Sequence, residues 1–349
     1  MLLQCIDKWQ ETADTVSIKL TDPQSPSNSF NFKPGQFVSL GFEINGKLEY
    51  RAYSISSMPG EHFLQLTVKI VPDGLVSTHI VEHLKVGECM QVLSPTGPFN
   101  HVDCVAQSKV LFLSAGCGIT PVMSMARTWL RDEIDIDMTF IHMAKSPQQT
   151  IYLDELEQLE HQHTNFNLQL LLKDSAGSRH AQGRLDRVWL ETLCPDIAQR
   201  TVYLCGPKQF MHDMAQFSLE LGVASEHFFQ ESFTLLDPHT PAVEALDIVE
   251  EADATQSPSP QSSVVQFEVP AFGVNKEVEL GTTLADVLEA SGVPVIIACR
   301  SGVCGSCKCQ VVKGDITRTS TETLTEEEVA QGYTLACSSQ IQSDVEIVL

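Results

Sequence analysis

Four cysteines fall within the run ACRSGVCGSCKCQ, at 299, 304, 307 and 309, and another stands at 337. Thiols this dense could form disulfides, bind zinc, ligate an iron–sulfur cluster or simply fill a core. The spacing is Cys299-x4-Cys304-x2-Cys307, with Cys337 following after 29 intervening residues. That pattern suits four thiolates converging on two irons and two sulfides. Gly302, Gly305 and Ser306 are small enough to let the backbone wrap such a rhomb, and their amides can point at the sulfurs. Structural zinc more often takes two C-x2-C pairs, whereas only one is present here; zinc and inert burial stay open as alternatives. Cys309 is expected to point into a core, because KCQVV reads as a strand.

Other runs also carry chemistry. Arg51-Ala52-Tyr53-Ser54 offers a cation, an aromatic face and a hydroxyl in one short stretch. Arg51 can neutralise a cofactor phosphate. Gly74-Leu75-Val76-Ser77-Thr78 precedes HIVEHL, and a glycine with hydroxyls opening a helix makes an anion site. Gly116-x-Gly118-x-Thr120-Pro121 lies between KVLFLS and a helical run, with Pro121 expected at the first helical position. Such a turn lets backbone approach a pyrophosphate, although an ordinary strand–helix turn would read the same way. Cys205-Gly206-Pro207 also sits between a strand and a helix, and its cysteine could be an ordinary core residue.

These residues need elements to hold them. With 349 residues and 43% apolar content, the chain is long enough for two or three folded domains. Up to residue 104, short strand-like runs (FVSLGFEI, RAYSISS, FLQLTVKIV, ECMQVLS) are broken by Pro and Gly, as in an antiparallel barrel. Over 105–236 the rhythm becomes strand, helix, strand, the mark of a doubly wound parallel sheet. Residues 237–263 carry six acids, four prolines and no Lys or Arg, and read as an extended tether. Residues 264–349 form a third module. The formal charge of −23 argues against nucleic acid and anionic membrane surfaces as partners. The opening run MLLQCIDKWQETADTVSIKL lacks the apolar core of a secretory signal, and the odd count of eleven cysteines does not suit a secreted disulfide framework. A reducing, cytoplasmic setting is therefore expected.

Together these motifs resemble the ferredoxin–NADP reductase superfamily, joined to a C-terminal plant-type [2Fe–2S] ferredoxin of the α+β, β-grasp type. The R-x-Y-S run behind PGQFVSL and the G-x-G-x-T-P turn carry the first resemblance; the cysteine loop and EEEVAQGYTLAC carry the second. The resemblance implies FAD on Arg51, Tyr53, Ser54 and the Gly74–Ser77 turn with Thr78. Ser54 would lie at flavin N5 and Tyr53 against the ring. It implies NADH on Gly116, Gly118, Thr120, Pro121, Cys205, Gly206 and Pro207, with Cys205 beside the nicotinamide. It implies Glu231 as a proton route, Phe233 as an aromatic cover, and Cys299, Cys304, Cys307 and Cys337 as cluster ligands.

Within the superfamily the runs RAYSISSMPG, AGCGITPVMSM and ACRSGVCGSCK look most like the reductases that serve the hybrid-cluster protein. That likeness implies electron transfer from NADH through FAD and the cluster to the hybrid-cluster protein, in nitric oxide or hydroxylamine detoxification. A reductase of a ring-hydroxylating oxygenase is the alternative, and a redox-sensing regulatory subunit is an alternative of another class. The residues themselves leave NADH against NADPH open. His142, Lys145 and Gln148 are expected near the adenosine ribose, with Arg179 and His180 close by.

Overall fold

A computed structural model describes residues 1–233 and 264–349. The tether expected over 237–263 lies outside the described residues. Residues Met1–Phe233 form one compact unit, and the C-terminal module belongs to a second.

The first unit opens with six antiparallel strands: β1 (Leu2–Thr12), β2 (Thr15–Thr21), β3 (Phe37–Ile44), β4 (Lys47–Ser54), β5 (Leu64–Lys69) and β6 (Cys89–Val92). They are ordered β4-β3-β6-β1-β2-β5. The sheet closes on itself beyond Ser54, where Ile55 bridges Leu66 and the Ser56 amide donates to the Gln65 carbonyl at 2.8 Å. Strand period two sends Leu3, Cys5, Ile18, Leu20, Val38 and Leu40 inward, and each is essentially unexposed. Burying one such aliphatic side chain contributes about 1.5–3 kcal/mol. Between β5 and β6 lies one helical turn, α1 (Leu75–Thr78), which widens into a π turn over His79–His83.

A parallel sheet follows, ordered β10-β9-β8-β7-β11-β12. Its strands are β7 (Lys109–Ala115), β8 (Asp137–Ala144), β9 (Phe166–Leu172), β10 (Ala181–Gln182), β11 (Thr201–Cys205) and β12 (Phe228–Glu231). Helices α2 (Ile119–Arg131), α3 (Leu153–Gln162), α4 (Arg187–Leu193) and α5 (Lys208–Glu220) cover it. Even-numbered residues of β7 and β8 (Val110, Phe112, Met138, Phe140) pack with α2 and α3 residues, and odd-numbered ones (Leu111, Leu113, Ile141) with α4 and α5 residues. Both faces are therefore apolar, as a doubly wound sheet requires.

The second unit holds β13 (Val264–Val269), β14 (Val274–Glu279), α6 (Leu284–Ala290), β15 (Lys308–Lys313), β16 (Ile316–Arg318), α7 (Glu326–Ala330), β17 (Tyr333–Leu335), β18 (Ser339–Ile341) and β19 (Val345–Val348). Its main sheet is ordered β14-β13-β19-β15-β17, and β13 and β19 run parallel within an otherwise antiparallel set. Leu284, Val287 and Leu288 of α6 close the core with Phe267 and Ile347. This is the β-grasp arrangement. Thr283 caps α6 by accepting from the Asp286 amide, and Thr325 with Glu328 forms a capping box on α7.

Candidate active site

In the parallel sheet, β8, β9 and β10 lie on one side of β7, and β11 and β12 on the other. The loops leaving β7 and β11 diverge there, which makes a crevice at the carboxyl ends of the strands. Both glycine turns found in the sequence sit at this point. Gly116 has φ +55 with no atom within 4 Å of where a Cβ would be. Gly118 is different: a Cβ there would stand 2.6 Å from the Gly206 amide nitrogen and closer still to the Cys205 carbonyl. Its lack of a side chain lets the two loops touch. Thr120 Oγ1 donates to the Cys117 carbonyl at 2.9 Å, tightening the turn. Pro121 is the third residue of α2, not the first, because the Gly116–Gly118 turn starts the helix earlier. It remains in the first turn, where its missing N–H breaks no helical bond.

The structure brings Ser54, Cys205 and Glu231 together from three separate strands. Cys205 and Glu231 are register partners on β11 and β12. Ser54, at the end of β4, donates its hydroxyl to Glu231 Oε2 at 3.5 Å. Burial pushes the Glu231 carboxyl up to about 8, against the opposing effect of the Ser54 bond. Burial, then the Glu231 and Cys117 charges, holds the Cys205 thiol well above its usual range. At neutral pH both groups are therefore protonated, and Cys205 is a poor nucleophile. The pair offers a neutral, polar lining with one transferable proton.

Arg51 and Tyr53 share one face of β4 by strand alternation. Arg51 Nη1 donates to the Tyr50 carbonyl at 2.6 Å and to Glu49 Oε2 at 3.2 Å. Tyr53 is half-buried against the barrel core, and burial raises its phenol. A Cβ on Gly74 would clash with Val71 and Ser77, so glycine is needed for the turn itself. Ser77 Oγ donates to the Gly74 carbonyl at 3.3 Å and accepts from the Val71 amide at 3.4 Å. Lys8, which the sequence reading passed over, donates to the carbonyls of Ile80, Val81 and Leu84 and fixes the end of the π turn. Phe233 is 46% exposed, an aromatic surface two residues beyond Glu231.

The expected ribose contacts need correction. His142 lies inside β8, on the face shared with Met138 and Phe140, and is fully buried. Its Nδ1 shares a 2.8 Å hydrogen bond with Ser114 Oγ, and burial pushes it down to about 3. Lys145 and Gln148 do lie exposed beyond β8. Arg179 pairs with Glu157 at 3.3 Å and Glu160 at 2.6 Å, and His180 Nε2 lies 2.8 Å from Glu157 Oε1.

The sequence reading also missed a network that joins barrel and sheet. Glu11 Oε1 accepts from Trp9 Nε1 and Ser17 Oγ, each at 2.7 Å. Ser17 Oγ meets Thr67 Oγ1 at 2.6 Å, and Thr67 Oγ1 meets the Tyr152 hydroxyl. The Arg127 guanidinium stacks 4.8 Å over the Tyr152 ring, pairs with Glu155 at 2.5 Å and donates to the Ser56 carbonyl. Residues 9–17, Ser56, Thr67, Arg127 and 152–155 are far apart in sequence, and no local signal links them. A cleft of about 820 Å³ beside them is lined by Trp9, Lys19, Phe63, Arg127 and Tyr152, among others, and of the residues expected near the cofactor only Gln148 reaches it.

In the second unit the four spaced cysteines converge. Cys307 Sγ lies 3.3 Å from Cys337 Sγ. Amides of Ser301, Gly302 and Cys337 donate to the sulfurs of Cys299, Cys337 and Cys307 at 3.4, 3.2 and 3.5 Å. Hydrogen bonds from Cys304 and Cys337 hold the Cys299 thiol far below its ordinary range. Among the described residues no three of His, Cys, Asp and Glu are set around a single ion. Cys299 meets both Cys304 and Cys337, and Cys337 meets Cys307, a donor set that fits a two-iron rhomb, with backbone N–H groups already aimed at sulfur. Cys309 faces the core, its thiol pushed up to about 12 by burial.

An antiparallel flavin-type barrel, a doubly wound sheet with its glycine turn at the switch point, and a β-grasp module with four converging thiols define a modular redox protein. Residues 3–101 match the oxidoreductase FAD-binding domain family, 112–216 the oxidoreductase NAD-binding domain family, and 271–342 the 2Fe-2S iron-sulfur cluster binding domain family. The glycine betaine monooxygenase reductase subunit of Pseudomonas aeruginosa is 36% identical over 352 residues, covering 99% of this chain and 94% of the relative. The NADH oxidoreductase HCR of Escherichia coli is 35% identical over 337 residues, covering 96% and 94%. The solved phthalate dioxygenase reductase shares the fold, with a TM-score of 0.65 at 22% identity, covering 100% of this chain and 98% of that one. The chain belongs to the family of NADH oxidoreductases that combine FAD- and NAD-binding domains with a [2Fe–2S] ferredoxin domain. Bound FAD exchanges electrons in pairs or singly, which lets a two-electron donor feed a one-electron cluster.

Proposed function

We propose that this NADH-dependent FAD/[2Fe–2S] reductase delivers single electrons to the hybrid-cluster protein. Arg51, Tyr53, Ser54 and the Gly74–Thr78 turn hold FAD, and Gly116–Pro121 with Cys205–Pro207 hold NADH. Cys299, Cys304, Cys307 and Cys337 hold the cluster. Glu231 keeps a proton beside Ser54, and Phe233 covers the site. The first two modules divide after residue 104, and the third begins at residue 264.

The observation that carries the chemistry is the meeting of Ser54, Cys205 and Glu231 at the strand ends of a chain that also gathers four thiols. Support for the acceptor comes from the full-length likeness to HCR and from the motifs that resemble reductases of the hybrid-cluster protein. A second reading, an oxygenase reductase, is favoured by the likeness to the glycine betaine monooxygenase reductase subunit over nearly the whole chain.

The test is a reconstituted assay of NADH oxidation with purified hybrid-cluster protein or with an oxygenase terminal component from the same cells. Electron flow is expected to the first. Reduction of the oxygenase component alone would replace this reading with the second.

A further inference from the structure

Arg300 sits between Cys299 and the two amides that face sulfur. It is one of few non-glycine residues in the left-handed region, at φ 55. A long side chain there is strained unless its surroundings hold it. They do so from α6. Arg300 Nη1 donates to Asp286 Oδ1 at 3.2 Å, and Nη2 donates to Glu289 Oε2. The guanidinium is largely covered, with 21% of the side chain exposed, and its Nε is buried without a hydrogen-bond partner. The arrangement has a result at the next two residues. Left-handed backbone at 300 turns the chain so that the Ser301 amide donates to Cys299 Sγ and the Gly302 amide to Cys337 Sγ. Gly302 is itself held by Ser320. A Cβ on it would stand 2.6 Å from Ser320 Cβ, and its carbonyl accepts from Ser320 Oγ at 2.7 Å.

We propose that Arg300 is a positioning residue for the cluster: its tie to Glu289 and Asp286 on α6 holds the Ser301 and Gly302 amides on sulfur and so raises the cluster's reduction potential. The proposal rests on reading the cysteine loop as the cluster site. N–H···S bonds stabilise the more negative, reduced cluster, so loosening them lowers the potential. This differs in sign from a plain charge effect. Glu289 is an anion near the cluster, and deleting it for charge reasons alone makes reduction easier.

The experiment is a redox titration of the full-length holoprotein, followed by the signal of the reduced cluster in electron paramagnetic resonance. Iron and sulfide content is measured in parallel. Glu289→Ala is expected to shift the cluster at least tenfold toward the oxidised form at fixed ambient potential, which is about 59 mV for one electron. Glu289→Gln removes the charge but keeps an oxygen for Arg300, and is expected to return the potential to the wild-type value or above. Loss of the cluster in the alanine variant but not in the glutamine variant also supports the anchor. A potential that rises or stays unchanged in Glu289→Ala overturns it. A wild-type protein that binds no iron and sulfide would instead refute the cluster reading itself.

Discussion

Gly118→Ala tests whether the contact between the two glycine turns sets the reactive geometry. The added Cβ would lie 2.6 Å from the Gly206 amide nitrogen, where ordinary contact begins at 3.4 Å. Both obstructing groups are backbone atoms at the end of β11, so no side chain can swing aside. The Cys205–Gly206 segment must therefore retreat by roughly 1 Å, and overpacking of this kind costs about 1–3 kcal/mol. A displacement of about 1 Å at a reacting centre lowers turnover by roughly 10²-fold, or about 2.7 kcal/mol in the barrier. The assay is steady-state NADH:ferricyanide reduction, which needs the flavin half alone, with flavin content and melting temperature measured alongside. Gly46→Ala, in the β3–β4 turn, is the control. It is strained by its positive φ, at about 1–2 kcal/mol, but meets no neighbour and displaces nothing at β11. Flavin-replete Gly118→Ala with more than half of wild-type turnover, or Gly46→Ala equally impaired, would refute the reasoning.

Three further outcomes are expected. Cys304→Ser abolishes reduction of cytochrome c while leaving NADH:ferricyanide activity within about twofold; parallel loss of both would break the order of carriers. Burial raises Glu231 from 4.5 to about 8, so the folded chain keeps a proton that the unfolded chain releases over that window. That contribution is full below about pH 4.5 and lost as pH rises through 8, with a limiting slope of about 1.4 kcal/mol per pH unit. Glu231→Gln should therefore flatten the fall of melting temperature between pH 5 and 8, and superimposable pH profiles would refute the burial argument. Arg179 and His180 are tied to Glu157 and Glu160. Freeing the guanidinium with Glu157→Gln and Glu160→Gln should lower KM for NADPH about tenfold with little change for NADH, since a charged hydrogen bond is worth about 1.5–3 kcal/mol; an unchanged KM ratio would show that Arg179 does not reach the cofactor.

Period and punctuation made much of this fold legible. FVSLGFEI is β3 and DMTFIHMA is β8, because each is apolar and ends at a turn. The β1–β2 hairpin was missed. Its outward positions carry Gln, Asp, Lys and Glu, and the run KWQETAD hides the inward Leu3, Cys5, Ile18 and Leu20. The two-residue β10 is held by a pairing with Leu171 and Leu172 that no local pattern encodes. His142 was placed at a strand end because sequence spacing shows proximity to a loop, not the face a side chain takes. Cysteine spacing was informative because the ligands lie within one loop plus one strand end. The Glu11–Ser17–Thr67–Tyr152 chain was invisible because its first three members become neighbours only as the barrel strands pair, and Tyr152 only when the barrel meets the parallel-sheet region.

The charge state of the crevice follows from the same geometry. Ser54, Cys205 and Glu231 come from three strands of two sheets. Cys205 is fully buried and Glu231 is partly covered, so a carboxyl and a thiol that would ionise in solution stay protonated. In the proposed site a neutral lining would suit the negative charge that arrives with hydride, because an ionised Glu231 would oppose it. Ser54 adds a hydroxyl that can pass a proton to or from Glu231 Oε2. Removing the carboxyl's proton by raising pH above about 8 therefore changes both the charge of the wall and its capacity to donate. Stability should then fall between about pH 4.5 and 8 and turnover only as pH rises through about 8, and Glu231→Gln should flatten the first fall without restoring turnover.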